Sequence, residues 1–168
     1  SAALASKVLE EATLDFSALR RENQDLWALG TVLGAAPRGW RSLRRLTVFG
    51  ACLDADDLAV LAGERLERLV LCEPHLAAGS WAEVLEMLRR RADPARRDRG
   101  ETPMELLTLR RPTGGEAEAM TGAQYRNVFE GPTGWALYEA DMNGDALSSA
   151  AIQFVSHLRD ENPVRAVL

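Results

Sequence analysis

An apolar pattern that returns at a fixed spacing constrains this chain more than any other feature. Leu43-Arg-Arg-Leu46-Thr-Val48 and Leu66-Glu-Arg-Leu69-Val-Leu71 superpose position by position, and Leu53 falls on Leu76 at the same constant offset. A third copy, Met104-Glu-Leu-Leu107-Thr-Leu109, follows at a wider spacing, the extra length being the charged segment 92–103. A weaker copy, Leu9-Glu-Glu-Ala12-Thr-Leu14 with Leu19 closing it, lies upstream of Leu43. Alternation of period two within each copy predicts a strand.

The segments between the strands read as helices. Asp54 is the expected N-cap of the first, with Asp56 and Asp57 in its first turn, Leu58, Leu61 and Ala62 as its apolar stripe and Gly63 at its end. Ser80 and Glu83 form an expected capping box ahead of a stripe of Trp81, Val84, Leu85 and Leu88. Arg89, Arg90 and Arg91 close that helix and read as a solvated, dipole-compensating terminus. Leu26, Leu29, Val32 and Leu33 after Asn23 mark a further helix. The predicted order is strand, helix, strand, helix, strand, helix, strand: an α/β chain whose parallel strands alternate with helices and stack into a short solenoid.

After Leu109 the repeat stops. Segments 125–129 and 135–138, separated by Gly131-Pro132-Thr-Gly134, predict a hairpin or two short strands. Leu147, Ala151, Phe154, Val155 and Leu158 predict a helix ending before Pro163, with Asp145 or Ser148 as its cap. Residues 1–111 are thus expected to form the strand and helix units and residues 112–168 a C-terminal cap of the same globular unit, with Trp27, Trp81 and Trp135 as anchors.

Charge supports this division. Residues 1–115 carry 17 basic and 17 acidic side chains, whereas 116–168 carry 3 and 8, so the net charge of −5 belongs to the cap. The acidic balance argues against nucleic acid as a partner, and 19 of 20 basic residues being Arg reads as base composition of the source. No run is long and apolar enough for a membrane span, and two cysteines make no disulfide framework, so an intracellular setting, cytoplasmic or nuclear, is expected. The absence of Met before Ser1 fits a trimmed chain or a fragment.

The L-x-x-L-x-L spacing resembles the strand of a leucine-rich repeat. The Gly79-Ser80-Trp81 turn leading into Trp81-x-Glu83-x-Leu85-x-x-Leu88, together with Phe154-Val-Ser-His-Leu158 and Glu161-Asn162-Pro163-Val164, is similar to the degenerate leucine-rich region of fungal F-box-like proteins over about residues 9–165. Ala51, Pro74 and Pro112 stand where such repeats carry Asn or Cys, and the F-box helices are absent. The resemblance implies a solenoid that recognises substrates for an adaptor.

Chemistry-bearing motifs are sparse. Asp141, Asn143 and Asp145 occupy calcium-loop positions 1, 3 and 5, but Ala146, Ser148 and Ile152 replace the residues needed at positions 6, 8 and 12, so a turn before a helix is expected instead. Cys52 and His75 are related by the offset of the two best copies and Cys72 lies nearby, three ligands where structural zinc takes four, so no metal is expected. Thr113-Gly114-Gly115-Glu116 lacks phosphate-loop spacing and reads as a turn. With only His75 and His157 and no nucleophile motif, neither catalytic residues nor cofactors are expected, and an α/β enzyme with an unrecognised site is the remote alternative.

What remains is a surface. Residues between the leucines point away from the core, giving three outward columns: Arg45, Arg68 and Leu106; Thr47, Val70 and Thr108; Phe49, Cys72 and Arg110, extended by Glu11, Thr13 and Asp15. Mixed Arg and apolar character is that of a protein-binding face, so Arg45, Thr47, Phe49, Arg68, Val70, Leu106, Thr108 and Arg110 are the expected partner-binding residues. The alternative is a scaffold subunit that contacts its assembly through the Arg-rich segment 89–99 or the acidic C-terminal region.

Overall fold

The computed structural model describes residues 9–17, 42–61, 65–130, 136–139 and 149–168. Leu19, Trp27, the helix expected after Asn23, Ala62, Gly63, Trp135, residues 141–146, Leu147 and Ser148 lie outside the described residues.

Two parallel ladders organise the chain. Strands β1 (Glu11–Asp15), β2 (Arg45–Phe49), β4 (Arg68–Cys72) and β6 (Leu106–Arg110) lie side by side in that order, joined by an antiparallel β8 (Ala136–Glu139) beyond β6. The register is Glu11↔Arg45↔Arg68↔Leu106, so the unequal sequence spacings between the four copies are those of hydrogen-bonded neighbours. Leu46 and Val48, Leu69 and Leu71, and Leu107 and Leu109 point into the core at 2% exposure or less, which is why a slip by one position is excluded. Leu43, Leu66 and Met104 seal the core below the strands.

The same turn follows β2, β4 and β6. Gly50, Glu73 and Arg111 all adopt the left-handed region, at φ of 64°, 53° and 49°. The Gly50 N–H donates to Cys72 O at 2.9 Å and the Glu73 N–H to Arg110 O at 2.7 Å. At the next position Ala51, Pro74 and Pro112 are buried, and the Ala51 and Pro74 carbonyls accept the His75 and Thr113 N–H groups at 2.8 and 2.9 Å. Backbone bonds thus link the units where a side-chain ladder is missing. The chain then enters a second parallel sheet, β3 (Cys52–Asp54), β5 (His75–Ala78) and β7 (Thr113–Gly114), with Leu53 beside Leu76 and Leu76 beside Gly114.

Helix α1 (Ala55–Leu61) starts directly after Asp54, whose N–H donates to the Asp57 carboxylate at 3.2 Å, and buries Leu58. Helix α2 (Trp81–Ala92) buries Trp81, Val84, Leu85 and Leu88 completely, as the periodicity predicts. Its cap differs from the expected reciprocal box. The Ser80 hydroxyl accepts from the Glu83 N–H at 3.4 Å but donates to Glu116, whose second oxygen accepts the Trp81 N–H at 2.7 Å. Glu116 lies in the 3-10 turn Gly115–Glu118, so the segment after β7 is pinned to the start of α2. Partial burial pushes this carboxyl up, but hydrogen bonds from Ser80 and from backbone N–H groups outweigh it and hold the acid below the usual glutamate range. A depressed folded value stabilises the protein above the unfolded value, and that contribution is lost as pH falls through the folded one. The stability difference between wild type and Glu116→Gln, measured by urea denaturation, should therefore be largest near neutrality and shrink on acidification below about pH 4.5; a difference independent of pH contradicts this role.

The cap differs from expectation. Residues 125–129 are not one arm of a hairpin: Gly122–Phe129 is a helix, α4, following the short α3 (Ala95–Asp98). A reciprocal capping box starts it, Gln124 N–H to Thr121 Oγ1 at 3.3 Å and Thr121 N–H to Gln124 Oε1 at 2.8 Å. Val128 and Phe129 are buried beneath it, and β8 pairs with β6 rather than with 125–129. The Tyr125 hydroxyl donates to Pro112 O at 2.7 Å, and burial foremost pushes its pKa to about 12.

The final helix, α5 (Ala150–Val155), is capped by Ser149, whose hydroxyl accepts the Ile152 N–H at 3.3 Å. It stops earlier than predicted. His157 at φ 63° and the Leu158 N–H bond to Gln153 O at 2.9 Å form a reversing terminus that leaves Leu158 56% exposed. The following segment returns to α2: buried Asn162 donates to Ala82 O at 2.9 Å and accepts the Val164 N–H at 3.1 Å, with Val164 fully buried. Asn162→Ala should cost about 1–3 kcal/mol, read as a lower urea midpoint with unchanged slope, because a buried carbonyl and N–H lose their partner.

The arginines ending α2 are not all solvated. Arg89 donates to Phe154 O at 2.6 Å and to Arg159 O, and its guanidinium lies 4.6 Å from the Phe154 ring centre. Arg91 is 8% exposed, and Arg90 alone of the three is exposed. Tertiary packing recruits Arg89 and Arg91 as ties between α2, the C-terminal segment and Leu66 O.

Candidate strand-face site

Strands β2, β4 and β6 each turn their leucines or valine to a buried face, and the opposite face carries the expected columns. In β2 and β4 the pattern is identical: Arg45 and Arg68 are exposed, while Thr47, Phe49, Val70 and Cys72 are half-buried. Arg110 is exposed at the end of β6. Leu106 holds its register position beside Arg68, its side chain lying outside what is described. Thr108, expected on the exposed face, is buried at 8%. It sits mid-strand with β4 on one side and β8 on the other, and the pairing with β8 is not part of the repeat pattern.

The third column leads into a cleft of about 230 Å³ at the C-terminal ends of β2, β4 and β6, lined by Ser17, Phe49, Gly50, Cys72, Glu73 and Arg110. Gly50, Glu73 and Ser17 were not among the expected residues, although Gly50 and Glu73 are equivalent positions of the repeat and directly follow Phe49 and Cys72. Burial raises the Cys72 thiol, only partly offset by Arg110, so it is a neutral, weakly polar lining. Asp15, on the far strand, is held below the usual carboxylate range by hydrogen bonds from the Ser17 hydroxyl and N–H.

Electrostatic pairing is uneven over the surface. Arg45 meets Glu11 at 3.6 Å, Arg111 meets Glu73 at 3.5 Å and Arg44 meets Glu67 at 2.7 Å. In the 89–99 segment Arg96 pairs with Glu101 at 2.6 Å, Arg97 with Glu105 at 2.9 Å and Arg89 with Asp160 at 3.4 Å. Among the described residues Arg68 and Arg110 form no ion pair.

The other candidate residues have structural partners. Cys52 and His75 are register neighbours, as their offset predicts, but Cys72 belongs to the other sheet. The His75 Nδ1 lies 3.1 Å from Thr113 Oγ1, and His157 Nε2 lies 3.1 Å from Arg89 O. Among the described residues no three His, Cys, Asp or Glu side chains gather at metal-binding distance, and no helix is long and apolar enough to cross a membrane. No family model matches this chain, and no curated protein or solved structure is significantly similar to it.

Proposed function

We propose that the chain is a short leucine-rich-repeat-like solenoid that acts as a non-enzymatic protein-interaction module, binding its partner on the exposed face of the parallel strands. The observation that carries this reading is the alignment of Arg45 with Arg68, Thr47 with Val70 and Phe49 with Cys72 on one face, ending in a cleft. Mixed guanidinium and apolar character suits protein recognition, since Arg and aromatic anchors carry most interface energy. The F-box-like resemblance makes substrate recognition within an intracellular adaptor the role considered first. The Arg-rich form of the scaffold alternative is weakened by the ion pairs that engage Arg89, Arg96, Arg97 and Arg99.

The test begins with the partner identified by mass spectrometry of the native complex, followed by binding of the purified partner. Phe49→Glu combined with Arg68→Glu should weaken binding at least about 100-fold while the thermal midpoint stays near wild type, since two interface anchors are each worth about 1–2 kcal/mol or more. Binding that survives this change but is lost in Arg90→Glu with Arg97→Glu would assign the contact to segment 89–99.

A further inference from the structure

Resting on that reading, we infer that the strand face recognises an extended acidic segment of its protein partner, of the form acidic–x–apolar–x–acidic, through Arg68 and Arg110. Both guanidiniums are exposed and lack an ion pair among the described residues, whereas the neighbouring Arg45 and Arg111 are already matched to Glu11 and Glu73. Exposed guanidiniums with no ion pair among the described residues are the places on this face where a ligand carboxylate gains most.

Their separation defines the spacing. Arg68 is the register partner of Leu106, so Arg110 lies one strand across and four positions further along β6. Four steps of strand span about 13 Å and one strand spacing adds about 4.8 Å sideways. An extended segment covers that distance in four steps, and its period of two turns positions i, i+2 and i+4 to the same side. Carboxylates at i and i+4 then meet Arg68 and Arg110. The side chain at i+2 falls between half-buried Val70 and its register partner Thr108, where an apolar group excludes water and a charge is left unpaired. The carboxylate at Arg110 enters the cleft, where Phe49 and the neutral Cys72 thiol supply apolar walls and Glu73 is occupied by Arg111.

Three labelled peptides test this by fluorescence anisotropy at low ionic strength against the whole chain: Glu-Ser-Leu-Ser-Glu, the respaced Glu-Glu-Leu-Ser-Ser, and Lys-Ser-Leu-Ser-Lys, each acetylated and amidated. The first should bind at least about tenfold more tightly than the others. Arg68→Glu with Arg110→Glu, both at exposed positions, should keep the wild-type circular dichroism spectrum and reverse the preference to the Lys peptide. Equal binding of all three peptides, no binding of the first, or an unchanged preference in the folded double variant overturns the inference. Phe49→Glu and the same double variant, each assayed with the purified natural partner, separate the two levels. If the peptides fail but the partner is still lost in Phe49→Glu, the interaction face stands and the acidic segment falls. If the partner ignores every face variant, both fall.

Discussion

Gly114→Ala should destabilise the protein by about 3–5 kcal/mol, near the upper end of what single substitutions do. A Cβ at this position would lie 2.2 Å from Leu76 O and 2.8 Å from Leu76 N. Both atoms are backbone of the neighbouring strand β5, so no side chain can rotate away. The residue also holds φ 76°, which costs an L-amino acid about 1–2 kcal/mol before any clash. Relief requires β7 to leave β5, and that would also disturb the Gly114 carbonyl that accepts from buried Trp81 and the Glu116 cap on α2. For a chain of this size the thermal midpoint should drop by about 10 °C or more. A midpoint within about 2 °C of wild type would mean that β7 does not approach β5 as described. Gly100→Ala is the control, because nothing lies within 4 Å of a Cβ there, although its φ of 74° adds backbone strain.

Trp81→Ala should cost a similar amount, about 3–5 kcal/mol, through a different route. Trp81 is fully buried, meets Phe129 edge-on at 6.0 Å and donates its indole N–H to Thr113 O and Gly114 O at 3.2 and 3.1 Å. Truncation opens a cavity between α2 and α4 and strands two carbonyls. Trp81→Phe separates the two effects: it keeps most of the volume and loses the N–H, so about 1–2 kcal/mol of the loss should remain. Urea denaturation of the two variants measures the difference directly, and equal losses would show that hydrogen bonding, not packing, dominates at this position.

How far such features are readable in the sequence depends on their range. The strand register is legible because Leu46, Leu69 and Leu107 must all face one core, and that demand writes itself into the chain as a recurring apolar spacing. The helix after Thr121 is signalled as well, by Thr121 and Gln124 at capping-box spacing, but Tyr125 and Phe129 between glycines read equally as strand formers. β8 and the burial of Thr108 depend on a distant segment folding back beside β6, which no local pattern announces. Arg89, Arg91 and Glu116 are comparable cases. Each carries a charge that suits a helix end or a turn, and only the tertiary fold converts it into a tie between segments far apart in sequence. The candidate face is legible to the same extent as the register, which sets Arg68, Val70 and Cys72 opposite the leucines. The cleft's Glu73 is missed because a charged residue in a left-handed turn reads as mere connection.

The most direct measurement is a set of long-range nuclear Overhauser contacts on isotopically labelled protein. The register predicts methyl contacts linking Leu46 to Leu69 and Leu69 to Leu107, and Val48 to Leu71 and Leu71 to Leu109, with the Thr47 and Val70 side chains in contact on the opposite face. Contacts shifted by one position, or running in antiparallel order, would place the arginines on the buried side or apart from one another and contradict both the repeat and the surface built on it.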